Sequence, residues 1–173
     1  MKSQLIIICL TLACLANSTQ AQENLKIAWP GDIKWKIGSN QKSGNTRMVE
    51  LIPENESMNN WTIIGTMVSM MGSTSVSVEK FMDMTYNQTL KNAPKAKLTM
   101  IEKGIKIASP WILFRIESQS FNNSKIPESQ LYYIIKGKQT LYSNFVAVKQ
   151  PSLGVLFVEK WVKIFKSSAL VDK

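Results

Sequence analysis

The sequence predicts an α+β fold in which a mainly antiparallel sheet is flanked by two principal helices. Most of the chain consists of extended segments in which apolar and polar residues alternate, and short loops join successive segments, as in antiparallel hairpins. Two segments show helical spacing of apolar residues instead, one in the middle of the chain and one near its end. No internal repeat or linker divides residues 22–173, so we expect a single domain there.

Four extended segments precede the first helix. β-branched and aromatic residues mark them, and loops containing Pro, Gly or Asn separate them. They cover residues 25–29, 35–37, 46–52 and 61–71. The last segment is apolar on both faces, which predicts a central strand, and Gly65 inside it predicts a bulge or a close backbone approach.

The first helix is predicted over residues 75–92. Ser75 is a suitable N-cap, and Pro94 prevents the helix from continuing. Residues of one face recur at helical spacing, and they are Val78, Phe81, Met82, Thr85 and Leu90.

The second half of the chain predicts further hairpins and a closing helix. A tight turn at residues 103–104 joins segments 98–102 and 105–109, segment 111–118 alternates, and residues 119–130 form a polar loop. Segments 131–135 and 139–148 are joined about residues 136–138. Pro151 and Ser152 open the closing helix, whose apolar face consists of Phe157, Trp161, Ile164, Phe165 and Ser168.

Residues 1–21 have the layout of a cleaved secretory signal. Lys2 gives a positive start, residues 5–16 are uncharged and apolar, and a polar stretch ends at the small residue Ala21. The apolar run is shorter than the roughly 20 residues of a membrane-spanning helix. We therefore expect an exported product that begins at Gln22 and is periplasmic or extracellular. A lipoprotein anchored at Cys14 is the alternative.

The composition excludes several chemistries. The chain has no histidine, and both cysteines, Cys9 and Cys14, lie in the leader. A mature chain without these residues has no disulfide, cysteine nucleophile, Ser-His-Asp triad or Cys/His zinc site. We predict a non-enzyme without metal or cofactor. A carboxylate-based hydrolase that uses two of Glu50, Glu102 and Glu117 is the distant alternative.

The charge favours anionic partners. Lys and Arg number 21 against 12 Asp and Glu, a net charge of +9, and only Arg47 and Arg115 are arginines. Because arginine is the residue that reads base edges and grips phosphates bidentately, sequence-specific nucleic-acid binding is disfavoured. Anionic lipid, polysaccharide or an acidic protein fits better. Candidate contacts cluster in one segment, and they are Lys91, Lys95, Lys97, Lys103 and Lys106. The alternative roles of these lysines are solubility and pairing with the dipole of the first helix.

Glu50 is predicted to be either ion-paired or in contact with a ligand. It lies on a strand whose two faces each carry a charge, Glu50 on one and Arg47 on the other. A buried charge is costly unless it is paired, and Arg115 on another strand is the expected partner. The five tryptophans could form a carbohydrate platform, but core packing explains them better.

Several features of the chain occur in a recognisable order, namely MVELIP at residues 48–53, NWT at 60–62, the helix at 75–92, the hairpins and the closing Trp161 to Phe165 helix. In these features the chain resembles the PsbP/Mog1/DcrB-like superfamily and similar small exported Gram-negative proteins. It implies an α/β/α sandwich and an accessory or binding role, and it carries over no catalytic residue. We therefore expect an exported binding or accessory protein with an unknown protein or envelope component as partner. A secreted, effector-like protein that docks on anionic membranes is the alternative.

Overall fold

A computed structural model describes residues 23–172. The predicted signal, its cleavage site after Ala21 and Cys14 lie outside this range. The elements within it are β1 Glu23–Lys26, β2 Trp35–Ser43, β3 Thr46–Pro53, β4 Ile63–Met71, α1 Val78–Asn92, β5 Lys97–Gly104, β6 Trp111–Ser118, β7 Glu128–Lys136, β8 Thr140–Val148, α2 Val155–Lys166 and β9 Ala169–Asp172. Neither helix is long and apolar enough to cross a membrane, a finding that covers residues 23–172 only.

The main sheet has seven strands in the order β2-β3-β4-β8-β7-β6-β5, and every neighbouring pair is antiparallel. The predicted α+β class with a mainly antiparallel sheet and two helices is therefore confirmed. β4 is an interior strand, as predicted, between β3 and β8. Gly65 provides a close approach, because the ring of Trp29 lies where a Cβ atom would be.

The two helices cover opposite faces of this sheet. α1 packs on β6 and β7 through a core that includes Val78, Phe114 and Ile134. The other face holds α2, whose Trp161 and Phe165 join the core around Leu113, Leu131 and Val146. We call these surfaces the α1 face and the α2 face. The alternation of side chains along each strand assigns every strand residue to one face or the other.

β1 and β9 form a separate antiparallel ribbon that the sequence does not predict as a pair. Leu25 joins the core of the α2 face, and the Tyr142 hydroxyl donates to the backbone oxygen of Glu23 at 2.8 Å. The ribbon therefore belongs to the same layer as α2. The closing helix was predicted to reach Ser168, but α2 ends at Lys166 and β9 follows from Ala169.

Several predicted boundaries are wrong for identifiable reasons. The N-cap of α1 is Ser77 rather than Ser75, because the Ser77 hydroxyl accepts from the Lys80 backbone N–H at 3.1 Å. The turn predicted at residues 103–104 falls at residues 105–110, since Gly104 still pairs with Trp111. α2 begins after Gly154. β7 begins at Glu128, inside the predicted polar loop.

Three tryptophans support the predicted core role. Trp29, Trp35 and Trp161 meet edge to face, with ring centroids 5.3, 5.5 and 6.3 Å apart. Such geometry is the favoured one for aromatic pairs. Trp61 is different, because it packs beside Ile52 on the α1 face with the Lys149 ammonium 4.6 Å from its ring centroid.

Candidate functional site

The predicted ion pair between Glu50 and Arg115 does not form. Glu50 lies on β3 and Arg115 on β6, and three strands separate them. Four steps of about 4.8 Å put them roughly 19 Å apart. They also lie on opposite faces, because Glu50 pairs with Thr66 in a row that continues through Phe145 on the α1 face, whereas Arg115 pairs with Leu131 of the α2-face core.

Arg115 pairs with Glu117 on its own strand instead. The Arg115 Nε atom lies 3.5 Å from Glu117 Oε2, and Glu117 Oε1 accepts from the Leu153 backbone N–H at 2.7 Å. The carboxylate thus fixes the segment that leads into α2. This arrangement assigns Arg115 and Glu117 a structural role.

The three glutamates of the hydrolase alternative do not share a cleft. Glu50 is on the α1 face, whereas Glu102 and Glu117 are on the α2 face, where Glu102 binds Lys166 at 2.7 Å. Glu102 lies opposite Leu113, so Glu117 is four residues, or about 13 Å, further along β6. Glycosidases need carboxyl groups about 5–9.5 Å apart, so this geometry does not support the hydrolase.

The five candidate lysines are divided between two ends of the molecule. Lys91, Lys95 and Lys97 lie around the turn from α1 to β5, but Lys103 is six residues along β5, about 20 Å away. Lys103 binds Glu79 in the first turn of α1 at 3.2 Å, and Lys106 follows in the next loop. The pKa of Glu79 is lowered by a hydrogen bond from its own backbone N–H and, to a smaller extent, by Lys103. The five lysines are close in sequence, but they do not form one cluster in the structure.

The end that keeps three of these lysines also exposes apolar side chains. Asn122 in the β6–β7 loop bonds the end of α1 through its backbone N–H and its side-chain amide, at 2.7 and 2.8 Å, which places Lys125 of the same loop at this end. The start of α2 is held there by Glu117, with Leu156 81% exposed. We call this surface the lysine end, and its members are Lys91, Lys95, Lys97, Lys125, Ile126, Val155 and Leu156.

A polar groove of about 450 Å³ lies beside the β2–β3 hairpin at the opposite end of the sheet. Its walls come from four separate parts of the chain, namely the hairpin, β4, the start of β8 and β1. We call it the hairpin groove, and its lining residues include Glu23, Lys42, Thr46, Arg47, Ser69 and Thr140.

Two cations face each other across the hairpin in this groove. Lys42 and Arg47 are direct cross-strand partners. Arg47 donates from Nε to the Asn40 side-chain oxygen at 3.0 Å, and within residues 23–172 no carboxylate forms an ion pair with Lys42 or Arg47. Glu23 forms part of another wall, but one of its oxygens accepts from the Lys138 backbone N–H at 3.1 Å and the other is buried over Gly137. The hairpin side of the groove is therefore positive.

A second, smaller pocket of about 180 Å³ lies under the C-terminal half of α1. We call it the α1 pocket. Its polar wall is a hydrogen-bonded row on β7, in which Tyr132 donates to Gln130 and Gln130 donates to Glu128, both at 2.6 Å. Burial raises the pKa of Glu128, although the Gln130 hydrogen bond and the charge of Lys149 act in the opposite direction.

A third cavity, of about 470 Å³, lies between the β1–β2 and β3–β4 loops. Two of its polar groups are engaged within the protein. Asp32 binds Lys160 at 2.6 Å, and this hydrogen bond lowers the pKa of Asp32. The Thr62 backbone N–H donates to Glu56 at 2.7 Å.

Sequence reasoning missed both the hairpin groove and the α1 pocket. The hairpin groove depends on the pairing of β4 with β8, and the α1 pocket on the packing of α1 against β6 and β7, and neither arrangement leaves a local pattern in the sequence. Between Glu23 and Asp172 no group of three or more His, Cys, Asp or Glu is placed to hold a metal ion. No protein-family model matches the sequence, and no curated protein matches it at a significant level.

Proposed function

We propose that the chain is an exported, non-catalytic binding protein that takes a small anionic ligand in the hairpin groove. The observation that carries the proposal is the pair Lys42 and Arg47, which face each other without an acid partner among the described residues. A carboxylate or phosphate group would bridge the two cations. The hydroxyl groups of Ser69 and Thr140, on the same face of the sheet as Arg47, would supply further donors.

The electrostatics of the Lys42 and Arg47 pair support this proposal. Like charges directly opposite each other on neighbouring strands destabilise a hairpin. A local cost of this kind is typical of functional sites, where a ligand removes it. The guanidinium of Arg47 also has the planar donor arrangement that suits carboxylate and phosphate, and its bond to Asn40 holds it in place.

A thermal-shift titration with citrate and inorganic phosphate, at constant ionic strength, tests the proposal. We expect both anions to raise the melting temperature of the parent and to have much less effect on Arg47→Gln and Lys42→Gln. Lys36→Gln is the matched control, because Lys36 is an exposed cation on the same strand but outside the groove. Equal losses in all three variants, or no stabilisation of the parent, would refute the site.

The second candidate function is docking on an anionic membrane through the lysine end. The observation that favours it is the presence of exposed Ile126, Val155 and Leu156 at the same end as lysines that form no ion pair within residues 23–172. Lysines near an anionic surface contribute about 1 kcal/mol each, and apolar side chains that enter the interface add to this. The mature chain would thus be a secreted, effector-like protein.

Co-sedimentation with phosphatidylserine-containing vesicles separates this function from the first. The double variant Lys95→Gln/Lys97→Gln should bind less than the parent at low salt. Lys103→Gln/Lys106→Gln has the same charge but changes the other end of β5, so it should bind like the parent. Binding that is absent, or is reduced equally in both double variants, would exclude the lysine end.

Export and family membership are also proposals. The layout of residues 1–21 supports cleavage after Ala21, and intact-mass analysis of the secreted product should give an N-terminus at Gln22. A lipidated Cys14 would instead indicate a lipoprotein. The order of the elements, with one helix on each face of an antiparallel sheet, supports membership of the PsbP/Mog1/DcrB-like superfamily.

A further inference from the structure

The α1 pocket has a polar wall whose orientation is fixed. Because an ionised carboxylate only accepts, the Gln130 amide nitrogen points toward Glu128, and the Gln130 side-chain oxygen accepts from the Tyr132 hydroxyl. Glu128 therefore accepts through Oε1. Its second oxygen accepts no hydrogen bond from any other residue in the described chain and is free for a donor from a ligand.

The opposite wall supplies neutral amides. Gln88 and Asn92 are four residues apart on α1, so their side chains lie on the same side of the helix. Within residues 23–172, neither side-chain amide bonds another residue. Because Asn122 holds the β6–β7 loop to the end of α1, the loop residue Phe121 is fixed at the edge of the pocket.

The chemistry of the lining selects the ligand. No lysine or arginine lines the pocket, and its one charged lining group, the Glu128 carboxylate, disfavours an anion. The ligand must donate to Glu128 and accept from the amides, which a sugar hydroxyl does with one group. Ile116 and Phe121 provide apolar contact for the C–H face of a ring. The volume of 180 Å³ is below the roughly 300–1,000 Å³ of pockets for larger ligands.

We propose that the α1 pocket binds a single sugar ring, with Glu128, Gln88 and Asn92 as the hydroxyl-binding groups and Phe121 and Ile116 as the apolar contact. This site is independent of the hairpin groove, since it lies on the other face and at the other end of the sheet. The two proposals can therefore fail separately.

Binding of glucose, galactose and mannose to the ¹⁵N-labelled protein, measured by NMR titration at millimolar concentration, tests the proposal. We expect shifts at Gln88, Asn92 and Gln130 for at least one sugar. Glu128→Gln should weaken binding at least tenfold, because the single amide oxygen would already accept from Gln130 and the NH₂ group in place of the second oxygen donates instead of accepting. Maltose and lactose form a second arm, which distinguishes a free monosaccharide from the terminal residue of a longer chain.

Two further variants keep the result interpretable. Gln88→Ala changes an exposed helix residue, so it should fold like the parent and bind the sugar several-fold more weakly. Glu159→Gln removes the same charge as Glu128→Gln but lies on α2, and it should bind like the parent. The proposal is overturned if the parent binds none of the sugars, or if Glu128→Gln and Gln88→Ala bind as tightly as Glu159→Gln.

Discussion

The two helices cover the same sheet from opposite faces, but they pack on it in different ways. α2 buries Trp161 and Phe165 completely, and these rings continue into a cluster with Trp29 and Trp35. α1 buries only Val78 to this degree, and the α1 pocket lies under its C-terminal half. The buried aromatic rings under α2 provide stability, whereas the pocket between α1 and the sheet leaves space for a ligand.

The largest effect should come from removing the central ring of the α2 contact. Trp161→Ala deletes a side chain that is 1% exposed, and such truncations cost about 3–5 kcal/mol of unfolding free energy. Leu156→Ala on the same helix is the control, since an exposed position should change stability by less than about 0.5 kcal/mol. Urea denaturation of both variants measures the difference. Equal stabilities would mean that α2 does not pack through Trp161.

The start of α1 should give a smaller effect. Ser77→Ala removes the hydroxyl that caps the helix, which typically costs about 1 kcal/mol. Ser75→Ala is the matched control, because Ser75 is the cap expected from sequence but makes no capping bond within the described chain. Chemical denaturation should show a loss for Ser77→Ala alone, and a loss for Ser75→Ala alone would reverse the assignment.

A still smaller, pH-dependent effect is expected in the α1 pocket. Burial raises the pKa of Glu128 above its ordinary value of 4.5, so the folded state binds more protons than the unfolded state above that pH. Stability contributed by this group therefore falls as the pH rises from about 4.5 through the raised pKa. Glu128→Gln removes the cost, so its melting temperature should exceed that of the parent at pH 7 but not at pH 3.5.

Asp32 provides a control of opposite sign. The hydrogen bond from Lys160 lowers its pKa below 3.8, so its contribution to stability is present above that pH and is lost in acid. Asp32→Asn should therefore lower the melting temperature slightly at pH 7 and have no effect at low pH. A gain at pH 7 for both Asp32→Asn and Glu128→Gln would mean that general charge reduction, not burial, is the cause.

The smallest effect concerns the start of α2, which has no side-chain cap. Gly154 occupies the N-cap with φ −64° and ψ 150°, a conformation open to any residue, and there is space for a side chain. Gly154→Ser should therefore stabilise the fold by a few tenths of a kcal/mol, roughly the usual difference between Ser and Gly at this position. Gly31→Ser, in a loop with equal space, should change the melting temperature less.

Local patterns were sufficient to predict the class of fold and most of its elements. The change from a period of two to helical spacing located both helices within about three residues, and Gly65 marked a real close approach. These features depend on neighbours in the chain. Side-chain alternation also predicts correctly that Glu50 and Arg47 lie on opposite faces of β3.

The predicted groupings of candidate site residues were wrong where they depended on the arrangement of the strands. In the sheet, β4, β8 and β7 lie between β3, which carries Glu50, and β6, which carries Arg115. Lys97 and Lys103 are close in sequence, but they lie near opposite ends of the eight-residue strand β5. Lys42 and Arg47 could have been paired from sequence, because they flank the Gly44–Asn45 turn symmetrically. The remaining walls of the hairpin groove come from β1, β4 and β8 and have no local signature.

The ribbon of β1 and β9 has a consequence for the order in which the chain folds. Glu23 pairs with Asp172, so the first strand has no partner until the last residues have been made. Contacts between such distant residues form late, because a long loop must close first. Leu25 can therefore complete the α2-face core only at the end of folding. The ribbon therefore joins the first and the last described strands, and the α2-face core is complete only when both are in place.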